Sequence, residues 1–150
     1  MKRCLAVAHQ TIDSPELLDA IRERYSAGPT TFHLLVPRYY GSGMTWNEGV
    51  VRHNAEEALN RALLRLAALG FPATGETGEP TRFGSGDNPV VAVEEVLRRD
   101  GEDAYDHIII STLPAKVSHW LRMDAPARIR RVTTIPVTEV VSTVPVPAHA

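Results

Sequence analysis

Cysteine is almost missing from this chain. Cys4 stands alone in 150 residues, which excludes an internal disulfide framework and fits a reducing compartment. An excess of charge is missing as well: a net charge of −2 gives no general pull toward nucleic acid or an anionic membrane. Nucleic-acid and membrane partners are therefore not expected. No apolar run approaches the ~20 residues of a membrane span. The start Met1-Lys2-Arg3-Cys4-Leu5-Ala6-Val7-Ala8 resembles a signal peptide, but His9 ends the apolar run too early for one. The expectation is a cytoplasmic protein. Aromatic residues are few, at 6%, and Tyr39, Tyr40 and Trp46 cluster in one irregular stretch.

What is present is ordinary globular material, 43% hydrophobic and 23% charged, enough for one domain with a sizeable core. Residues 1–144 read as that domain and residues 145–150 as a frayed tail. Apolar runs rich in β-branched residues alternate with stretches of helical period, the pattern of buried parallel strands joined by helices. The runs fall at 3–8, 31–36, 106–111 and 136–141, with a weak edge strand within 71–79. Ser14-Pro15 opens the first helix and Gly28-Pro29 stops it.

Thr45-x-x-Glu48 has capping-box spacing before a long amphipathic helix. Its apolar face reads Val51, Ala55, Ala58, Ala62, Leu66 and Leu69, and Gly70 ends it. Asp87 or Asn88 caps the third helix at Pro89, and Gly101 ends that one. In the fourth, Val117, Leu121, Ile129 and Val132 are the expected core face, with a kink or break at Pro126. Five strands alternating with four helices give an α/β three-layer sandwich, with a flavodoxin-like or 3-2-1-4-5 strand order.

Ligands of such sheets sit beyond the carboxyl ends of the strands, at the switch point of the strand order. That rule selects His9, Gln10, Thr11 and Asp13 after the first strand, Pro37 after the second, and Ser111 and Thr112 after the fourth. His9 is a candidate proton donor or anion ligand because its pKa lies near neutrality; a hydrogen bond to a neighbouring loop is the plainer reading. Gly84-Ser85-Gly86 before a helix offers backbone amides to a phosphate, although a flexible turn explains it as well. Lys116 is the best single cation for an anionic ligand. It belongs to a basic stretch with Arg122, Arg128, Arg130 and Arg131, while residues 87–106 hold seven acids. His119-Trp120 and the aromatic loop line either a pocket or simply packed helix faces. The six histidines show no metal-ligand spacing, so no metal is expected. No nucleophile elbow or Ser-His-Asp set is readable.

Three segments carry a family resemblance: Gly86-Asp87-Asn88-Pro89-Val90-Val91-Ala92-Val93, Asp106-His107-Ile108-Ile109-Ile110-Ser111 and Ile135-Pro136-Val137. They resemble the Gly-x-Pro helix entry, the fourth strand and the fifth-strand entry of the universal stress proteins. The first half agrees in pattern, with its helix start at Asp13-Ser14 and His33 in the second strand. The resemblance implies an open five-stranded parallel sheet in the order 3-2-1-4-5, of the adenine nucleotide alpha hydrolase-like type. It also implies a homodimer joined near the fifth strand.

ATP-binding members carry Gly-x2-Gly-x9-Gly-Ser/Thr after strand four. Here the matching positions hold Ser111-Thr112-Leu113-Pro114 and, later, Asp124-Ala125. Proline supplies no amide and Asp124 repels phosphate, so ordinary ATP binding is not expected. The leading expectation is a non-enzymatic, stress-related or regulatory dimer without a cofactor, its cleft taking a small nucleotide-like or anionic ligand. A ligand-free interaction module is the alternative, and a small hydrolase or transferase using His9 with Asp13 is the third.

Overall fold

A computed structural model describes residues 1–9, 11–37, 48–78, 88–114, 119–122 and 124–142. Its core is a sheet of five parallel strands in the order β3-β2-β1-β4-β5. These are β1 (Lys2–Val7), β2 (Thr30–Val36), β3 (Ala73–Thr77), β4 (His107–Thr112) and β5 (Val137–Val141). The strand order is the one the sequence implies, and each strand lies within a residue or two of its expected place.

The two central strands are apolar on both faces because helices cover both. Alternation sends Cys4 and Ala6 of β1, and Ala8 just after it, to one side with Phe32, Leu34, Val36 and Ile109. Leu5 and Val7 go to the other side with Leu35, Ile108 and Ile110. The first layer is closed by α1 (Pro15–Ala27) and α2 (Glu48–Ala68), and the second by α3 (Pro89–Asp100) and α5 (Ala125–Val132).

Local chemistry sets the helix ends. The Ser14 hydroxyl accepts from the Leu17 amide at 3.1 Å, and Asn88 accepts from the Val90 and Val91 amides. Each cap satisfies amides that have no partner within the helix. Past α2, Gly70 turns the chain at φ +86°, a conformation that costs glycine little. Gly75 has a different reason for its missing side chain: a Cβ there would lie 2.5 Å from Leu59 Cδ1 and 3.1 Å from the Leu34 carbonyl oxygen. It lets α2 sit directly on the edge strand β3.

Three expectations need correction. The fourth helical stretch is indeed divided, into α4 (His119–Arg122) and α5, but the break falls at Asp124 and not at Pro126. Asp124 takes φ +58°, which reverses the chain, and Pro126 sits in the first turn of α5, where its missing amide costs nothing. Leu69 and Val132, both assigned to core faces, are each 42% exposed, Leu69 just beyond the end of α2 and Val132 at the last residue of α5. Thr45, Val51 and Val117 belong to expectations that lie outside the described residues or side chains. No described helix is long and apolar enough to cross a membrane.

Candidate functional site at the switch point

β1 and β4 are adjacent while their onward connections leave in opposite directions, so the crevice beyond their carboxyl ends is the switch point. Past β1 the chain folds into a turn in which the Ile12 amide donates to the His9 carbonyl and the Ser14 amide to that of Thr11. This turn places the Thr11 hydroxyl 2.7 Å from the Ser111 hydroxyl, and Ser111 reaches Ser142 at 2.8 Å. The Ser142 amide in turn donates to the Thr112 carbonyl at 2.7 Å, extending the β4–β5 ladder by one residue. Thr11, Ser111, Thr112 and Ser142 are all buried. A chain of hydroxyls therefore runs across the ends of three strands. Thr112 Oγ1 is also buried but finds no hydrogen-bond partner among the described residues. Such an orphaned group is uncommon because it forfeits the bonds it made with water.

Among the described residues, the groups nearest the ends of β1 and β4 are uncharged. Burial pushes the His9 imidazole down from 6.5 to about 4, so it is uncharged at neutral pH. Asp13 faces Arg61 at 3.8 Å across an exposed gap, and its carbonyl accepts from Arg65. Hydroxyls and a neutral imidazole can exchange hydrogen bonds with a sugar or a base; they supply no positive charge for phosphates. Of the residues selected from sequence, Thr11 and Ser111 are brought into contact. His9 and Thr112 follow the paired residues Val7 and Ile110 by two positions each. Pro37 directly follows β2. Gln10, Gly84, Ser85, Gly86 and Lys116 lie outside the described residues, as do Tyr39, Tyr40 and Trp46. Trp120 takes the plainer of its two readings, packing into the α3–α5 core. Ser142 was missed, although a polar residue directly after the β-branched fifth strand is the cue that marks it. Among the described residues no group of three or more His, Cys, Asp or Glu side chains could hold a metal.

The burial of His9 has a measurable consequence. Between pH 6.5 and 4 the unfolded chain takes up a proton that the folded chain refuses. Its contribution to stability is complete above that window and lost as pH falls through it. Denaturant titrations at stepped pH are expected to show this decline, and His9→Gln to flatten it. The share of His107 remains, because its pKa is lowered too, first by burial and then by Arg24.

A second polar cluster lies on the α3 face of the sheet, away from the switch point. Arg99 donates to both oxygens of Glu76 at 2.8 and 2.6 Å and to Asp100 at 2.9 Å. His33 bridges Thr74 at 2.7 Å and Glu76 at 2.6 Å, and Tyr105 donates to Asp100 at 2.7 Å. Hydrogen bonds from Arg99 and then His33 hold the Glu76 carboxyl at about 2. This cluster ties the edge strand to α3 and to the start of β4. Its contribution is present above the ordinary carboxylate value of 4.5 and lost as pH falls toward 2. Glu76→Gln is expected to cost about 1–2 kcal/mol at neutral pH, reduced by solvent screening at the exposed Arg99, and to make the acid limb shallower. Urea unfolding at pH 7 and pH 3 measures both effects.

No family model matches the sequence, and no curated protein does either. Solved structures do match. A universal stress protein from Archaeoglobus fulgidus superposes with a TM-score of 0.58 at 14% identity, over 93% of each chain. The chain has the universal-stress-protein fold. A second such structure, a universal stress protein family protein from Arabidopsis thaliana with AMP bound, matches at 0.55 and 11% identity. That match spans 95% of this chain and 93% of the other. On this version of the universal-stress-protein fold, β4 ends in Ser111-Thr112 and is followed by Leu113-Pro114, with Asp124 opening α5.

Proposed function

We propose that this chain is a non-enzymatic, cytoplasmic regulatory protein of universal-stress-protein type whose switch-point crevice takes a small nucleoside-like ligand. The Thr112 hydroxyl carries the reading: it is buried at the end of β4 and lacks a partner among the described residues. A ribose or purine edge satisfies such groups, and the neutral His9 beside them suits an uncharged portion of the ligand. The AMP seen in the Arabidopsis thaliana neighbour supports a ligand of this size. Phosphates find less here, because Pro114 has no amide to give and Asp124 opposes an anion. Thermal unfolding of the full chain with adenosine and with AMP is the test. Stabilisation that Thr112→Val abolishes supports the reading, and no stabilisation by either compound refutes it.

One observation favours the alternative, a ligand-free interaction module: Ser111 already satisfies Thr11 and Ser142 within the protein. Both readings carry the expected homodimer through β5. Among the described residues that strand pairs with β4 alone and has no partner on its outer edge, with Val141 half exposed. Sedimentation equilibrium reads a dimer directly, and Val141→Lys is expected to shift it toward monomer. The hydrolase reading gains little, since Asp13 faces Arg61 and an imidazole titrating at about 4 is a weak base.

A further inference from the structure

The amino-terminal end of the sheet, opposite the switch point, holds a cavity of about 80 Å³ between β1, the end of α1 and the start of β4. That is several times the ~10–15 Å³ needed to admit one water. Lys2, Cys4, Arg24, Thr30, Asp106 and His107 are among its lining residues. Arg24 is the unusual member. It is half-buried in the last turn of α1, and its guanidinium makes no ion pair or hydrogen bond among the described residues. A guanidinium held partly out of water gives up hydration, and the last helical turn returns only part of that.

The surrounding groups leave its charge uncompensated. Burial pushes the Cys4 thiol up to about 12, so no thiolate forms there. His107 is kept neutral by burial and by Arg24 itself, and its Nε2 is taken up by Thr138 at 2.6 Å. Asp106 supplies the one carboxylate of the lining, and its Oδ2 accepts from the Arg3 amide at 2.9 Å. At the end of α1 the Gly28 carbonyl accepts from the Thr30 hydroxyl, and the Tyr25 carbonyl from the Gly28 amide. With Lys2 and Arg24 at its wall, the cavity carries more positive charge than its single carboxylate cancels.

We infer that this cavity is a binding site for a small tetrahedral oxyanion, phosphate or sulfate, held by the Arg24 fork and the Lys2 ammonium. Guanidinium recognises such an ion through paired N–H donors, and lysine adds a point charge. The site is separate from the crevice beyond β1 and β4, and neither depends on the other.

Thermal unfolding of the full chain in sodium phosphate or sodium sulfate, against sodium chloride at matched ionic strength, tests the inference. The expected result is a saturable rise in Tm of about 3–6 °C at ten times the Kd. Arg24→Gln removes that rise, Arg24→Lys retains part of it, and Thr112→Val leaves it intact. An NMR titration of the unaltered protein with phosphate gives a readout free of any folding defect, with saturable shifts at Arg24 and His107. A rise that persists in Arg24→Gln, a non-saturating rise, or shifts that spare Arg24 and His107 overturns the inference.

Discussion

Phe32→Ala is expected to lower the unfolding free energy by about 3–5 kcal/mol, the largest loss from any single truncation considered. Phe32 is fully buried in the middle of β2, under α1 and α2. Its ring meets Phe71 edge-on at 6.4 Å, and Phe71 meets Tyr25 at 5.3 Å, so three rings interlock beneath the helices. Edge-to-face contacts of this kind add to the burial of area. The flanking strands fix β2 on both sides, which limits how far the layer can collapse into the space left behind. A domain of this size has about 5–15 kcal/mol in total, so the variant is left marginal. Urea unfolding shows a lower midpoint with an unchanged slope, whereas Leu64→Ala at a 73% exposed position moves the midpoint little.

Ser111→Ala ranks second, with an expected loss of about 2–4 kcal/mol. Its hydroxyl stands between Thr11 and Ser142, and the substitution strands two buried oxygens at once. Removing every polar partner is a gentler change than removing one. The triple variant Thr11→Val, Ser111→Ala, Ser142→Ala is therefore expected to recover much of the stability lost by Ser111→Ala alone. Should the triple variant be no better than the single one, the hydroxyls do not act as a chain.

Much of the fold was legible because strand and helix periods differ and both layers of the sheet are apolar. Ser14, Asn88 and Gly70 mark their boundaries through chemistry that acts within a few residues. The break at Asp124 was harder. Proline in a helical pattern suggests interruption at itself, yet Pro126 is tolerated in a first turn while an aspartate takes the left-handed conformation two positions earlier. The site divides along the same line. Thr11 and Ser111 follow from the rule about strand ends, whereas Ser142 depends on how β5 registers against β4, with Thr112 opposite Val141. The Glu76–Arg99 pair joins residues 23 apart through the placement of α3, which no local pattern reports.

On the proposed function, the crevice behind β1 and β4 recognises hydroxyls and a neutral surface instead of phosphate charge. Isothermal titration of adenosine, AMP and ATP into the full chain measures this most directly. Adenosine and AMP are expected to bind with affinities within about tenfold of each other, a difference below ~1.4 kcal/mol, and ATP no more tightly than AMP. Affinity that climbs by about tenfold or more with added phosphates, or no heat from any of the three, contradicts it.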